Sequence, residues 1–285
     1  MRHMSAATSI PTRLSVSIVL YESSLDLLQR AIASLDRASR IAREPAGLAR
    51  VDVELVDNST TQAYPTQAAE LASGWTSDAF FKVSYTAMPD NRGFGAGHNH
   101  VIQTLDSTFH LVLNPDVELS PDALVVGLAA LQDDAGVALV SPRVTGDEGR
   151  QEFLCKRYPS VLVLLLRAFA PRFIRRVFQR RLGRYQMRDV CAGTREAEVM
   201  LASGCFMLGR TNAIRAAGGF NEGYFLYFED FDLSLRLGGQ GRLIFNPAVH
   251  IMHHGGYAAS KGMLHLKYFL RSGITFFNQH GWRWI

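Results

Sequence analysis

Four short stretches of this chain carry residue types that do chemistry. In HLVLNPDVELSP, His110 to Pro121, an apolar run leads into Asp116. Such a run delivers a carboxylate to its exposed end. There it suits a hard cation such as Mg2+ or Mn2+, which takes oxygen ligands and bridges protein to substrate phosphate. A solvated turn aspartate beside a proline accounts for the same residues. Glu229, Asp230 and Asp232 stand among five aromatic residues between Tyr224 and Phe231. A carboxylate in a partly apolar pocket holds its proton more tightly and serves as a general base. Acids at a helix start also complement the dipole, but that leaves the aromatic density unexplained. His250, His253 and His254 precede a Gly-Gly turn. Imidazole is a common metal ligand. Strand alternation sends His250 and His254 one way and His253 the other. In PDNRGFGAGHNH, Pro89 to His100, glycines let backbone amides approach phosphate and the helix that follows offers its positive end. Arg92 suits a diphosphate.

These residues need elements to hold them. Leu14 to Leu20 is a predicted first strand. A helix follows with Leu25, Leu28, Ile32 and Leu35 on one face and Ser24 as its cap. Val51 to Val56 and Lys82 to Ala87 are the next strands. The glycine loop then opens a helix that runs to about Leu105. Phe109 to Leu113 is a fourth strand, Pro121 starts another helix, and Val137 to Ser141 is a fifth strand. After a basic interruption come Val199 to Leu201, Cys205 to Leu208, helices from Thr211 and over Glu229 to Leu237, strands at Arg242 to Phe245 and Val249 to Met252, and a last helix from Gly262 to Gln279. Strands alternating with helices predict an α/β fold with a mostly parallel sheet covered on both faces. Ligands of such sheets bind beyond the carboxyl ends of the strands, where Tyr21, Asp57, the Asn91-Arg92-Gly93 loop and Asp116 fall. The glycine motif is not GxGxxG and follows the third strand, which disfavours a nicotinamide dehydrogenase; no GxxxxGK[ST] loop occurs either.

Composition narrows the class. Hydrophobic residues at 47% and charged residues at 20% are an ordinary globular balance and leave material for a large core. Three cysteines without a CxxC pair argue against a disulfide framework or zinc knuckle and fit a reducing cytoplasm. Met1 to Thr12 lacks the apolar stretch of a signal peptide. The most apolar run, Val161 to Leu166, is far short of the roughly 20 residues that span a bilayer. The net charge of +4 is uneven: from Lys156 to Arg188 there are ten Lys or Arg and no acid.

In its ordered motifs the chain resembles the family 2 glycosyltransferases of the GT-A fold, in particular their bacterial rhamnosyltransferase-like branch. The motifs are VSIVLYES (Val16 on), VDNST (Val56 on), NRGFGAGHN (Asn91 on), LNPDVEL (Leu113 on), SGCFMLGR (Ser203 on), GGFNEGYFLYFEDFDLSLRL (Gly218 on) and HHGG (His253 on). The resemblance implies a single GT-A domain over residues 13–285. Residues 13–150 would be its nucleotide-sugar half, 156–190 a basic amphipathic insert, and 195–285 the acceptor and catalytic half, ending in a helix. It implies that Tyr21 and Asp57 hold the nucleotide base and ribose. Asn91 and Arg92 would lie near the diphosphate or sugar, and Glu22, Gly93, Asn99 and Asn114 would complete the donor site. Asn114-Pro115-Asp116 stands where the family has its DxD metal motif, with Asn114 replacing the first acid. Asp116 would bind the divalent metal, with His253 or His254 completing its site. Asp230 would be the catalytic base, with Glu229 beside it. The implied enzyme is inverting and moves L-rhamnose from dTDP-rhamnose to a cell-envelope glycan, lipid-linked or in the lipopolysaccharide core. Other donors carrying galactofuranose, glucose or N-acetylglucosamine stay open, as does a catalytically silent scaffold of a polysaccharide assembly complex.

The basic stretch has its own pattern. Phe173, Ile174, Val177 and Phe178 fall on one helical face and Arg172, Arg175, Arg176 and Arg180 on the other, with Pro171 in the first turn. A basic amphipathic helix with aromatic anchors lies in a membrane interface. The expectation is therefore a cytoplasmic protein held peripherally at the inner membrane, Lys156 to Arg188 meeting the anionic surface. Packing of that helix on the main domain, or on a second copy in a homodimer, is the alternative. No nucleic-acid motif accompanies the charge.

Overall fold

The computed structural model describes residues 11–75, 79–255 and 263–285; Gly256, Gly262 and the first ten residues lie outside that description. Its elements run β1 (Thr12–Leu20), α1 (Leu25–Ala42), β2 (Leu48–Asp57), α2 (Ala63–Ser73), β3 (Phe81–Ala87), α3 (Phe94–Ile102), β4 (Phe109–Leu113), β5 (Val117–Leu119), α4 (Ala123–Asp133), β6 (Val137–Gly146) and β7 (Gln151–Glu152). Then come α5 (Val161–Phe169), α6 (Arg172–Val177), α7 (Gln179–Tyr185), α8 (Arg188–Cys191), β8 (Ala197–Glu198), β9 (Phe206–Arg210), α9 (Thr211–Ala216), α10 (Glu229–Leu237), β10 (Arg242–His253) and α11 (Met263–His280).

One sheet holds all of these strands, in the order β3-β2-β1-β4-β9-β6-β10-β5, with β7 on β6 and β8 on β10. Pairing is parallel from β3 through β4 and between β6 and β10. β9 runs antiparallel between β4 and β6. β1 is buried on both faces, as inner parallel strands are; Leu14, Val16 and Ile18 are apolar, and the alternating Ser15 and Ser17 are satisfied by the buried His98 and His110. Leu28, Ile32 and Leu35 of α1 pack with α2 and α4 on one face of the sheet. Ser24 caps α1 by accepting from Leu27 N at 3.4 Å. Ile102, Ile214, Leu233 and Leu237 from α3, α9 and α10 cover the other face.

Several boundaries differ from the sequence reading for identifiable reasons. The helix expected after the glycine loop begins inside it, at Phe94, directly after Gly93 with φ +95°, and it ends at Ile102 rather than near Leu105. The short strand expected at Val137 continues to Gly146 despite Pro142. That proline sits where β10 loses register between Asn246 and His250, so no ladder N–H is missed. The same irregularity joins the two expected strands at Arg242 and Val249 into one. The helix α2 and the strand β5 had no clear periodicity in the sequence. Pro171 is the cap of α6, one residue before its first turn, with ψ 161°.

Candidate functional site

β1 and β4 are parallel neighbours whose connections leave in opposite directions, which opens a crevice beyond their carboxyl ends. Asp57, at the end of β2, is buried on one flank of it. Its Oδ1 accepts from Ser59 N at 2.8 Å and its Oδ2 from the Tyr85 hydroxyl at 2.7 Å. Burial, and then this carboxylate, push the Tyr85 hydroxyl up from its usual range, so it stays a donor. Tyr21, 55% exposed, follows β1. Glu22 beside it is left-handed at φ +48°, held by its N–H on Ser59 Oγ at 2.7 Å. Non-glycine residues there are uncommon and cluster at ligand clamps.

The glycine loop lies next. Asn91 Oδ1 accepts from Gly93 N at 3.0 Å, and Gly93 O accepts from Asn58 at 3.0 Å. A Cβ on Gly93 would meet Phe225 O at 2.2 Å, so only glycine fits. Arg92 pairs with Glu222 at 2.7 Å rather than standing free. Asn99, expected at the donor, is buried. Its amide bonds Phe220 N and O and Glu222, which pins the loop after α9 instead of facing a ligand.

Asp116 and Asp230 are brought together by a turn that sequence reasoning had given no role. Ser203 to Cys205 precedes β9. Gly204 N donates to Asp230 Oδ2 at 3.0 Å, and Cys205 O accepts from Asn114 N at 3.0 Å. One tripeptide thus ties the start of α10 to the end of β4. Cys205 reports the convergence. Burial pushes its thiol up to about 12, and the nearby charges of Asp116, Asp230 and Glu152 act in the same direction. The SGC motif was visible in the sequence, but its two hydrogen bonds were not.

Asp230 also accepts from Phe231 N at 2.9 Å. Burial raises its pKa against these backbone donors and the charge of buried Lys156. Glu229 is driven well above the usual carboxylate range by burial and then by Asp230's charge; its Oε2 has no hydrogen-bond partner among the described residues. Two consecutive left-handed residues, Tyr227 and Phe228, turn the chain into α10. The aromatic crowd explains that strain: Tyr224 and Phe228 pack with Phe276 and Phe277 of α11, holding the turn rigid. Asp232 pairs with Arg236 at 2.5 Å and with His280 at 2.8 Å, a structural acid.

The histidines separate as alternation requires. His250 meets Ser120 and Thr145, and His254 meets Glu118 at 2.7 Å and Asp147. His253 turns the other way. Its Nε2 lies 3.6 Å from Asp116 Oδ1, and its Nδ1 lies 3.1 Å from Glu152 Oε2. Glu152 escaped notice because nothing in its short strand marks it. Asp116 Oδ1 is buried without a hydrogen-bond partner, and a Cβ on Gly255 would fall 1.9 Å from Asp116 Oδ2. An orphaned carboxylate oxygen in a cradle that admits no side chain fits a divalent cation. The backing of a ligand imidazole by a carboxylate is the usual support for one. His254, equally expected there, faces Glu118 and Asp147 instead. Among the described residues no group of three or more His, Cys, Asp or Glu side chains is placed to hold a metal by itself.

Comparisons with known proteins bear on the family and the fold. The family model described as Glycosyl transferase family 2 matches residues 15–215. The chain is 26% identical over 246 residues to the N-acetylglucosaminyl-diphospho-decaprenol L-rhamnosyltransferase of Mycobacterium tuberculosis, across 82% of this chain and 74% of that enzyme. It is 27% identical over 173 residues to rhamnosyltransferase WbbL of Escherichia coli strain K12, across 56% and 61% respectively. Among solved structures, the mannosyltransferase PcManGT from Pyrobaculum calidifontis, in complex with GDP-Man and Mn2+, aligns with a TM-score of 0.56 at 15% identity. That alignment covers 88% of this chain and 59% of the longer mannosyltransferase, and it concerns the fold.

Proposed function

Because the chain belongs to glycosyl transferase family 2, we propose that it is an inverting transferase that moves L-rhamnose from a deoxythymidine diphosphate donor to a hydroxyl of a membrane-bound glycan. The observation that carries this reading is the Ser203 to Cys205 turn, which joins Asp230 and the Asn114 to Asp116 segment at one crevice. In this reading residues 13–150 hold the donor and residues 195–285 hold the base. Asp57, oriented by Tyr85, accepts hydrogen bonds from the nucleoside, and Tyr21 covers its base. The amides around Gly93 and the start of α3 favour the diphosphate. Arg92, tied to Glu222, holds that loop and reaches phosphate only by releasing its partner.

Asp116 and His253, the latter oriented by Glu152, would hold a divalent metal, Mg2+ or Mn2+. Bound there, it would neutralise charge on the departing diphosphate. Asp230 takes the acceptor hydroxyl proton while that oxygen forms its bond to the anomeric carbon from the face opposite the diphosphate. The bond from the anomeric carbon to the diphosphate oxygen breaks, its electron pair leaves with the nucleotide, and the configuration inverts. A β-linked donor gives an α-rhamnoside. Burial makes Asp230 a stronger base than a solvated carboxylate. The names of the two sequence relatives support rhamnose as the sugar, and one of them supports a polyprenyl-linked acceptor. Exposed arginines on α6 and α7 support docking at an anionic inner-membrane surface.

The test offers the protein a panel of nucleotide sugars with Mn2+, including those of rhamnose, galactofuranose, glucose and N-acetylglucosamine, and measures nucleotide release with and without a diphospholipid-linked N-acetylglucosamine acceptor. Preferential release from dTDP-rhamnose, stimulated by acceptor, is expected. Equal indifference to every donor would overturn the reading in favour of a silent scaffold.

A further inference from the structure

An apolar groove of about 110 Å3 lies between α5 and α11. Leu164, Leu165, Phe169, Leu270, Ile274 and Trp282 wall it, and no polar group faces in. Beside it, Phe173 and Val177 of α6 are 69% and 78% exposed, while Ile174 and Phe178 are half-buried, so half of the apolar face expected from the sequence is left uncovered. Trp284 is 65% exposed. The tryptophans are nonetheless held in place. Trp282 stacks on Phe277 at 5.1 Å and on Trp284 at 5.2 Å. Arg283 O and Trp284 O accept from Val161 N and Leu162 N, at 2.8 and 3.1 Å, and so close the start of α5.

The rim is cationic. Arg172, Arg175, Arg176, Arg180 and Arg181 are exposed and have no acidic partner among the described residues; Lys267 and Arg271 add to them from α11. No Asp or Glu occurs from Lys156 to Arg188, or anywhere after Asp232. Exposed apolar patches of this kind mark interaction sites. A second copy of the chain is a poor occupant, because a two-fold contact would set the same arginines against each other. An anionic bilayer offers both hydrocarbon for the groove and phosphate for the rim. Tryptophan and arginine are also the residues that favour its interface. No described helix is long and apolar enough to cross a membrane, which leaves docking in the plane of the interface.

We infer that the groove between α5 and α11, with Trp282 and Trp284, docks on an anionic bilayer and takes lipid hydrocarbon between the two helices. The inference rests on the membrane clause of the proposed function and extends it from the basic insert to the C-terminal helix. It also gives that surface a bearing on the chemistry. The same helix holds the turn into α10: Ser272 donates to Leu226 O at 2.8 Å, and Gly273, which also lines the groove, lies against the Phe228 ring. Docking would therefore bear on the start of α10, which carries Asp230.

The experiment uses the whole chain with Trp75→Phe, which leaves Trp282 and Trp284 as its tryptophans. It is titrated with vesicles of phosphatidylcholine, alone or mixed with phosphatidylglycerol, with and without brominated acyl chains. Docking predicts a blue shift and bromine quenching on the anionic vesicles. Arg175→Gln with Arg176→Gln should weaken partition about fivefold for each charge removed. Leu270→Glu with Ile274→Glu should weaken it about tenfold or more, while donor hydrolysis without vesicles stays unchanged and shows the variant folded. Partition that falls with the arginines but ignores Leu270 and Ile274, with no quenching, would overturn this inference and leave the insert reading standing. No partition by the unaltered chain would overturn both. A dimer in sedimentation velocity that Ile274→Glu dissociates would assign the groove to a second copy instead.

Discussion

Replacing Asp230 by Asn separates catalysis from folding at this site more cleanly than any other change. The carboxylate receives two backbone donors, Gly204 N at 3.0 Å and Phe231 N at 2.9 Å. The asparagine has one oxygen, so one of those donors would face an NH2 group. Loss of one hydrogen bond costs about 1 kcal/mol. Acting against this, the buried charge disappears. Burial raises the pKa of Asp230 in the folded chain above its unfolded value. The contribution of this group to stability is therefore fully present below the unfolded pKa and lost as pH rises through the folded one. Relative to the unaltered chain, Asp230→Asn should gain stability over that same rise, so its melting temperature at neutral pH should move by only a few degrees. Turnover should fall far more. Loss of a positioned general base costs about 100- to 10,000-fold, or about 3–5 kcal/mol in activation free energy. The assay is nucleotide release in the presence of acceptor, from acid to alkaline pH, beside calorimetry of nucleotide binding. The unaltered enzyme should show an acid limb whose midpoint lies above the ordinary carboxylate range; the variant should lack that limb and keep its nucleotide affinity. Turnover within about tenfold of the unaltered enzyme, with the limb intact, would refute the assignment of Asp230 as base.

Three further outcomes follow from the site's geometry. Gly255→Ala would put a methyl group 1.9 Å from Asp116 Oδ2; displacement of the carboxylate should weaken Mn2+-dependent donor binding about tenfold or more, by calorimetry, without loss of helical signal. Glu152→Gln, which alters the partner of His253 at 3.1 Å, should lower Mn2+ affinity about 10- to 100-fold and leave metal-free nucleotide binding alone, as free-Mn2+ electron paramagnetic resonance would report. Tyr85→Phe removes the 2.7 Å bond that orients Asp57; the nucleotide Kd should rise about five- to tenfold while turnover at saturating donor is kept.

Most of the N-terminal part of the sheet could be read from residue order. The stretches at Leu14, Val51 and Phe109 read as strands, and each is followed closely by polar residues, which puts Tyr21, Asp57 and Asp116 beyond the carboxyl ends of one sheet. The alternation of His250, His253 and His254 held as well, because a strand's period of two leaves no freedom once its direction is known. The orientation of Asn99 could not be read from the sequence: an asparagine one turn into a helix after a glycine loop points at a ligand or back at the chain with the same sequence signature. Here the loop at Phe220, far away in sequence, decided it.

What the sequence determined by itself is therefore the class of the fold, the strands that present the crevice, and the acids available to it. Those follow from periodicity and composition, which act over a few residues. Tertiary structure alone decided which histidine meets Asp116, that Glu152 stands behind it, and that α11 walls both the turn into α10 and an apolar groove. Each of these depends on long-range pairing: β9 entering antiparallel beside β4, β7 folding back on β6, and the C-terminal segment closing α5. Such pairings are set by the burial of whole faces rather than by any residue's neighbours in the chain. The turn from Ser203 to Cys205 belongs to both accounts. Its residues were visible as a motif, but its two hydrogen bonds exist only because β4, β9 and α10 meet at the same edge.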